Sequence, residues 1–364
     1  MPRDETDDIA QARRWFAEEL RHTAHVRSPA VVEAFATVPR EHFAGPGPWR
    51  VLSPLGGPDY WTTDDADPRR LCHDVLVAID ETRRLNNGQP SLWAALFEQL
   101  GLAPGDPVIH VGAGLGYYSA ILAELVGSSG NVTAIEIDPS LAERARLNLA
   151  GAWPQTKVIA ADGFAFQSDE PVDAFVVNAG VSHLPLPWLD SLKADGGRLL
   201  VPLTNAKLWG AYLIVAREGA RYPVRFASRV GIIACAGGRD AEAEGRLAAA
   251  LARADYTAVR SLRRPKSRTT PAGSRARAGG CRRRPRKRRW NIHNRRRYSR
   301  PPPCSAPRMT PSPAFSGRAK ASMGAAALST SAGSPPTSLG EPPRDHAPGR
   351  GLKLCAADRT RDRK

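Results

Sequence analysis

The sequence predicts an α/β fold of the Rossmann-like class: a mostly parallel sheet with helices on both faces, an antiparallel C-terminal edge and a helical N-terminal cap. Three observations predict this fold. From residue 91 onward, short apolar runs alternate with segments of helical periodicity. A glycine-rich run at residues 112–116 stands between the first apolar run and the next helical segment. The last two apolar runs follow each other without a long crossover helix.

The first 90 residues are predicted to form a helical cap followed by a lid or substrate loop. Apolar residues recur at helical spacing over residues 9–43 until Pro39 interrupts the pattern. Residues 44–70 are rich in Gly, Pro and Asp, which predicts an ordered loop or a lid instead of regular elements. Three aromatic residues of this loop are candidates for an apolar lid or, as the commoner case, for half-buried packing: Trp49, Tyr60 and Trp61.

The sheet domain is predicted to span residues 91–262. Helical spacing predicts helices over Ser91–Leu102, Tyr117–Val126, Pro139–Ala150 and Glu242–Arg253. Short apolar runs predict strands buried on both faces at Pro107–Val111, Val132–Ile137, Lys157–Ala160, Val172–Asn178 and Arg198–Leu203. The two late runs, predicted to form the antiparallel edge, are Tyr212–Ala216 and Val224–Ala234.

Charge is divided sharply along the chain, whose formal net charge is +16. Residues 261–364 contain 27 Lys and Arg against four Asp and Glu, which leaves the first 260 residues at about −7. The basic character therefore says nothing about what the folded part binds. Beyond residue 262 no hydrophobic periodicity remains, so residues 263–364 are predicted to form a basic, disordered tail rich in Pro, Arg and Ser.

Two hypotheses account for this tail. Arg, Pro, Ala, Gly and Ser dominate it, as out-of-frame translation of GC-rich DNA tends to produce, so a frameshift near residues 264–268 is one explanation. The other is a native basic arm that binds nucleic acid or an anionic surface with salt-sensitive affinity. Near the basic run, only Trp290 and Tyr298 could stack on bases. Nucleic acid is a predicted partner only if the tail is native.

Several classes of protein are disfavoured by the remaining composition. The acidic N-terminus lacks the apolar core of a secretory signal, and no run of 18 apolar residues occurs, so we expect a cytoplasmic protein without a membrane partner. The cysteines are scattered and include no Cys-x-x-Cys, so we expect neither a disulfide framework nor a metal site. They are Cys72, Cys235, Cys281, Cys304 and Cys355.

Three features at successive strand ends indicate a ligand-binding edge. The run Gly112-Ala113-Gly114-Leu115-Gly116 allows a sharp turn and a close approach of backbone to ligand. Glu136 ends the second strand, where a carboxylate can accept both hydroxyls of a ribose. Asp162-Gly163 follows the third strand, where an acidic side chain can meet an adenine edge. Each feature alone also fits a turn or strand end without a ligand, whereas three at one edge favour a nucleotide-like ligand.

Several blocks of the sequence match those of one family. An N-terminal helix and a Pro-Arg-Glu turn correspond to Val32-Glu33-Ala34-Phe35 and Val38-Pro39-Arg40-Glu41-His42-Phe43. An Ile-Ser-x-Pro segment corresponds to Gln89-Pro90 with the helix from Ser91, and a glycine motif to Gly112 through Tyr117. Later blocks correspond to Asp162-Gly163 and to Gly196-Gly197-Arg198-Leu199 with Pro202. On these residues the sequence, from about Val31 to about Leu262, resembles the protein-L-isoaspartate (D-aspartate) O-methyltransferase family.

The resemblance implies a class I methyltransferase that uses S-adenosyl-L-methionine and methylates a carboxylate in a protein or peptide. It implies a methyl donor held by residues at the strand ends: Gly112, Ala113, Gly114, Gly116, Glu136, Asp162, Gly163 and Asn178. It also implies a substrate-binding segment formed by Asn86, Asn87, Gly88, Gln89, Pro90 and Ser91.

Gly88 departs from the family pattern, because the alignment of Gln89-Pro90 places it where the family has its active-site serine. Methyl transfer depends mainly on positioning and desolvation, so the missing hydroxyl need not abolish it. Its loss, together with the Asn86-Asn87 pair, favours the alternative of another peptide or small-molecule acceptor. The amides of this segment either orient such an acceptor or satisfy their own backbone.

No catalytic residue is assigned by the sequence. His183 follows the fourth strand and is a candidate base that would face the cleft, although a carboxylate acceptor needs no base. His73 and His110 have weaker claims, and His110 is predicted to be a hydrogen-bonded core residue. A third function is a non-catalytic cofactor-binding protein with a basic interaction arm. A nicotinamide oxidoreductase is disfavoured because Tyr117 stands where a dinucleotide fingerprint has its third glycine.

Overall fold

Three helices begin the chain in the computed structural model, which describes residues 5–53, 57, 59–253 and 260–262. They are α1 (Glu5–Thr23), α2 (Pro29–Thr37) and α3 (Arg40–Ala44). The Ser28 hydroxyl accepts a hydrogen bond from the Val31 N–H and caps α2, and Pro29 occupies its first turn. The predicted interruption at Pro39 is confirmed, since it separates α2 from α3. The predicted tail and the frameshift hypothesis lie outside the described residues.

A small antiparallel sheet follows, which the sequence analysis missed. Its strands are β1 (Arg50–Leu52), β2 (Trp61–Thr62), β3 (Leu76–Asp80) and β4 (Leu85–Asn86), in the order β2-β1-β3-β4. The expectation of a loop without regular elements over residues 44–70 was therefore wrong. Strands of two or three residues are too short to show an alternating pattern; β1 and β4 pair with β3, and β2 pairs with β1.

The larger sheet contains eight strands in the order β12-β11-β10-β9-β8-β5-β6-β7. In chain order, the strands are β5 (Pro107–Val111), β6 (Asn131–Glu136), β7 (Thr156–Ala160), β8 (Ala174–Val177), β9 (Asp195–Thr204), β10 (Trp209–Glu218), β11 (Tyr222–Gly231) and β12 (Ser261–Leu262). Strands β5 to β9 pair in parallel, and β10 to β12 pair in antiparallel fashion. The predicted parallel sheet with an antiparallel C-terminal edge is confirmed.

Helices cover both faces of this sheet, as predicted. They are α4 (Pro90–Leu100), α5 (Tyr117–Val126), α6 (Pro139–Leu149), α7 (Leu186–Asp190) and α8 (Ala241–Arg253). Alternate residues of β5 point to opposite faces: Val108 packs in a core with α1, α2, α4 and α5, while Ile109 packs in a core with α7 and α8. The N-terminal helices thus share a core with the sheet, because α1 and α2 contribute Phe16 and Phe35 to it.

Strand β7 corrects one prediction. Its residues are half-buried or exposed, whereas the sequence analysis expected a strand buried on both faces. In the described sheet β7 is an edge strand that pairs with β6 on one side, so one flank of the strand meets solvent.

Among the described residues, no helix is both long enough and apolar enough to span a membrane. Likewise, no group of three or more His, Cys, Asp or Glu side chains there is placed to hold a metal ion.

Candidate functional site

A cavity of about 1330 Å³ opens where the parallel strands end. Its wall on that side is formed by residues that follow or end β5, β6, β7 and β8: Val111–Leu115, Ile135–Asp138, Asp162–Gly163 and Asn178–Ala179. Other parts of the wall come from β3 and β4, from the turn before β10 and from the end of β11. The structure therefore brings together the three strand-end features that the sequence singled out.

The glycine-rich turn is held by the carboxylate of Glu136. Glu136 Oε2 accepts the Gly114 N–H at 2.7 Å, and Oε1 accepts the Asp138 N–H at 3.1 Å. Gly112 and Gly114 have φ values of +81° and +56°, a region that favours glycine. A side chain at Gly112 would lie 3.1 Å from the carbonyl oxygen of Asn178, so the turn must be glycine to pass this close to β8.

The ends of β7 and β8 supply the Asp162 carboxylate and two residues that support the turn, Gly163 and Asn178. Asp162 Oδ1 accepts the Phe164 N–H at 2.9 Å, and Asp162 lines the cavity. A Cβ on Gly163 would lie 2.4 Å from Val111 Cγ1, so Gly163 allows its segment to pack against β5. Asn178 Nδ2 donates to the Gly112 carbonyl at 3.2 Å and so fixes the glycine turn.

Three predicted site residues do not appear among the described residues that line the cavity: Gly116, Pro90 and His183. Gly116 has φ +96°, and a Cβ there would lie 3.0 Å from Leu149 Cδ1, so this glycine allows α5 and α6 to pack closely. Pro90 is buried in the first turn of α4. His183 was expected to face the cleft. It packs instead against Phe164, with ring centroids 5.2 Å apart, and its Nδ1 lies 3.1 Å from Ser182 Oγ.

The aromatic residues of the predicted lid are also outside the described cavity lining. Trp49 is buried and packs with Val51, Leu71 and Val77 beneath the small sheet. Tyr60 accepts a hydrogen bond from Asn86 Nδ2 at 3.1 Å, whereas Trp61 is 44% exposed. For Trp49 the packing alternative is the one that the structure supports.

His110 is a core residue, as predicted. Its side chain is fully buried, and Nδ1 lies 2.8 Å from Ser119 Oγ. Burial lowers the pKa of His110 to about 3, because the cationic form would lose its hydration. His110 is therefore neutral in the folded protein at neutral pH.

The amides of the predicted substrate segment are satisfied locally. Asn86 Oδ1 accepts the Gly88 N–H at 3.0 Å. Asn87 Oδ1 accepts from the Val77 N–H at 3.1 Å and from Arg40 at 3.0 Å. Gln89 Nε2 donates to Asp74 Oδ2 at 2.8 Å. Asn86 thus supports the segment's own backbone, whereas Asn87 and Gln89 tie the segment to β3, Arg40 and Asp74.

Arg40 is a positioning residue whose role the sequence analysis missed. Its guanidinium is 97% buried and donates to the carbonyls of Leu71, His73 and Val75 as well as to Asn87. It thereby ties the segment before β3 to the segment after β4. The Pro-Arg-Glu turn was a signal that this residue matters, although its partners lie 31 to 47 positions away in the chain.

Sequence comparison assigns the chain to a family. The family model for protein-L-isoaspartate(D-aspartate) O-methyltransferase matches residues 75–224. A protein-L-isoaspartate O-methyltransferase from Hyperthermus butylicus is 32% identical over 255 residues, which cover 65% of this chain and 95% of the relative. The chain belongs to the protein-L-isoaspartate O-methyltransferase family. Protein-L-isoaspartate O-methyltransferase 2 from Archaeoglobus fulgidus is also 32% identical, over 56% of this chain and 83% of its own length.

A solved structure supports the fold of this family member. A protein-L-isoaspartate O-methyltransferase matches it with a TM-score of 0.51 and 24% identity, covering 61% of this chain and 65% of the other. The chain therefore has the class I, Rossmann-like methyltransferase fold. It is an S-adenosyl-L-methionine-dependent methyltransferase.

Gly88, aligned with the serine of this methyltransferase family, has a backbone that a serine would strain. Its φ is +78°, in the left-handed region. A Cβ there would lie 2.7 Å from Trp93 Nε1 and 3.2 Å from Tyr118 Cε2. The Tyr118 hydroxyl donates to the Gly88 carbonyl at 3.1 Å and holds this conformation. The chain therefore lacks a serine hydroxyl at position 88, and Trp93 fills the space that a serine side chain would need.

An ion pair joins the small sheet to the strand-end wall of the cavity. Arg83, between β3 and β4, lies 2.7 Å from Asp138 Oδ2 and 2.8 Å from Asp80 Oδ2. Hydrogen bonds from Ser140 and then from Arg83 hold the pKa of Asp138 well below its usual range. No local pattern in the sequence indicates this contact, because the two residues are 55 positions apart.

Proposed function

We propose that this methyltransferase transfers the methyl group of S-adenosyl-L-methionine to a carboxylate of a protein or peptide. The observation that carries the proposal is the convergence of the glycine turn, Glu136 and Asp162 at one edge of a cavity that also contains the segment around Gly88. In that arrangement a donor at the strand ends and an acceptor near Gly88 share one cavity.

The residues at the strand ends fit the donor. A carboxylate has about four acceptor positions, and the Gly114 and Asp138 N–H groups occupy two of those on Glu136, so two remain for ribose hydroxyls. A Cβ on Gly114 would meet only Ile79, at 3.5 Å, so the turn faces open space. The residues proposed to hold the donor are Gly112, Ala113, Gly114, Glu136 and Asp162, with Gly163 and Asn178 as their support.

The charges around the cavity suit these two reactants. When bound, the donor supplies a methyl group on a positively charged sulfonium. Three carboxylates line the strand-end side, those of Glu136, Asp138 and Asp162. Arg83 also lines the cavity and pairs with Asp138, while three further cationic side chains line other parts of the wall, namely Arg84, Lys207 and Arg229. Unlike charges attract more strongly where water is scarce, so this distribution favours a cationic donor and an anionic acceptor.

The protein's task in this reaction is to position the two reactants and exclude water. A carboxylate is already ionised at neutral pH, so the acceptor needs no general base. The placement of His183 away from the described cavity lining agrees with that. Displacement at a methyl carbon requires in-line approach, which a rigid cavity provides by holding both groups.

A second candidate function is methylation of another peptide or small-molecule acceptor. The observation that favours it is Gly88, whose left-handed backbone differs from what a serine at this position would adopt. The cavity wall at position 88 therefore has a different shape from that of a methyltransferase with a serine at this position.

The test is methyl transfer by the full chain from labelled donor to matched peptides that contain isoaspartate, aspartate or asparagine at one position. We expect base-labile methyl esters on the isoaspartyl peptide and none on the asparagine peptide. Gly114→Val is the inactive control, since a branched side chain would occupy the cavity at the glycine turn. Transfer to none of the carboxylates, with donor binding intact, would contradict the proposal.

A further inference from the structure

We propose that the indole N–H of Trp93 is the hydrogen-bond donor that holds the acceptor carboxylate, in place of the hydroxyl that Gly88 lacks. This inference rests on the proposed function and names the residue that recognises its acceptor. Trp93 Nε1 lies 2.7 Å from where a Cβ on Gly88 would stand. The donor atom of Trp93 therefore occupies the space that a side chain at position 88 would take.

The state of this N–H supports the inference. Trp93 is 1% exposed and lines the cavity. An indole nitrogen can only donate, and buried donors almost always have an acceptor. Trp153 and Trp188 follow this rule, since their N–H groups donate to Glu124 Oε1 and to the Gly163 carbonyl. Within the described part of the chain the Trp93 N–H donates no hydrogen bond, and its nitrogen is not among the fully enclosed polar atoms that lack a partner, so it stays accessible from the cavity that Trp93 lines. A ligand in the cavity would supply an acceptor.

The ring that carries this donor is fixed in place. Its centroid lies 4.9 Å from that of Tyr118, 5.3 Å from Phe97 and 6.0 Å from Tyr212. Tyr118 in turn donates to the Gly88 carbonyl. The same aromatic contacts thus set the position of the indole N–H and the backbone beside it. A donor held in this way loses little entropy when it binds.

A single fixed donor suits a carboxylate that must react. The indole N–H can hold one carboxylate oxygen and leave the other oxygen to face the methyl group of S-adenosyl-L-methionine. An indole also stays neutral across the physiological pH range, so it neither takes up a proton nor adds a charge beside the carboxylate. Glycine at position 88 is then the complement of tryptophan at position 93, because a larger residue at 88 would displace the indole.

The test replaces Trp93 in the full chain with benzothienylalanine, which keeps the ring's shape and has sulfur in place of the N–H. We expect KM for the isoaspartyl peptide to rise about 10- to 100-fold, the loss of one hydrogen bond to a charged group. The Kd of the same peptide for the protein loaded with S-adenosylhomocysteine should rise equally. The melting temperature and the affinity for S-adenosylhomocysteine alone should not change.

The matched control is the same replacement at Trp15, which is 67% exposed on α1 and should change neither KM nor Kd. An unchanged Kd for the peptide in the Trp93 analogue, beside an active unmodified protein, would overturn the role of Trp93 alone. An unmodified protein that methylates no carboxylate would overturn the proposed function, and the role of Trp93 with it.

Discussion

At the scale of single residues, the backbone at Gly88 decides what the acceptor side of the cavity can contain. Its φ of +78° and its contact with Trp93 both exclude a side chain. A residue in the left-handed region costs roughly 1–2 kcal/mol unless it is glycine. The absence of the family's hydroxyl is thus tied to a local conformation and to a neighbour's side chain.

Gly88→Ser should therefore destabilise the protein and fail to increase its activity. We expect a loss of roughly 2 to 4 kcal/mol in the free energy of unfolding, from backbone strain and from the contact with Trp93. Gly101→Ser is the control: it is also in the left-handed region, with φ +65°, and a Cβ there meets only Arg198, at an ordinary 3.7 Å in the described structure. Denaturant unfolding measures the free energy of unfolding of both variants, and the difference between their losses is the part due to overlap with Trp93. Equal losses in the two variants would show that Trp93 does not crowd position 88.

Glu136→Ala should weaken binding of the methyl donor by roughly 1 to 3 kcal/mol, the usual loss when hydrogen bonds to a charged group are removed. The variant also frees the Gly114 N–H that orders the glycine turn. Calorimetric titration with S-adenosylhomocysteine measures the effect, and Glu19→Ala, at an exposed position of α1, is the control. An unchanged affinity in Glu136→Ala would place the ribose elsewhere.

His110 should make stability depend on pH. Its pKa is about 3 in the folded protein and about 6.5 when unfolded, so both forms are neutral above pH 6.5. As pH falls from 6.5 towards 3, only the unfolded chain takes up this proton, and the free energy of unfolding falls by up to about 1.4 kcal/mol per pH unit.

His110→Gln removes this contribution. Unfolding between pH 7 and pH 5 should show a shallower slope in this variant than in the unmodified protein. His22→Gln, at an exposed position, should keep the original slope. A slope that His110→Gln leaves unaltered would mean that the pKa of His110 is the same in the folded and the unfolded protein.

At the scale of elements, the hairpin of β3 and β4 is attached to the larger sheet by Arg83 and Asp138. Arg83 is 46% exposed and Asp138 is 22% exposed, so solvent screens the pair and its contribution to stability is about 1 kcal/mol or less. Its position matters more than its energy, because Asp138 and the hairpin both line the cavity.

Arg83→Met should loosen this attachment and speed dissociation of the methyl donor several-fold, while the melting temperature changes little. Stopped-flow release of a fluorescent donor analogue measures the rate. Arg50→Met is the control, since Arg50 pairs with Glu81 within the small sheet and does not reach the larger one. Equal release rates in the two variants would show that the ion pair does not retain the donor.

At the scale of the whole molecule, the similarity to the matched relatives covers only part of this chain. About two thirds of the chain covers 95% of the Hyperthermus butylicus relative, and all described residues that line the cavity lie between positions 23 and 236. The charge of the first 260 residues, about −7, also differs in sign from that of residues 261–364.

Removal of residues 265–364 should leave the affinity for the methyl donor unchanged within about 0.5 kcal/mol, because the site is assembled from strand ends far upstream. The same change should abolish any binding to nucleic acid, since a net acidic surface repels phosphate. Donor titration and salt-dependent DNA binding of both proteins measure the two effects. DNA binding that persists in the shortened protein would assign it to the first 264 residues.

The sequence by itself determined the order of the elements in the larger sheet domain, apart from the short α7 and β12, which were not predicted, and it indicated the strand-end part of the site. Pro107–Val111 and Tyr117–Val126 were predicted with the boundaries that the structure has. Apolar runs, helical spacing and the glycine turn are local patterns, and a parallel sheet places the ends of its strands at one edge. Glu136 and Asp162 could therefore be placed in the site without coordinates.

Only the tertiary structure decided which of these residues line the cavity and what surrounds the acceptor. It removed Gly116 and His183 from the described lining, paired Arg83 with Asp138, and set Trp93 against Gly88. The small sheet was also missed, because three of its four strands have only two or three residues and give no periodicity. These contacts depend on how separate elements pack, and the pattern of apolar and polar residues along the chain does not encode the distance between particular side chains.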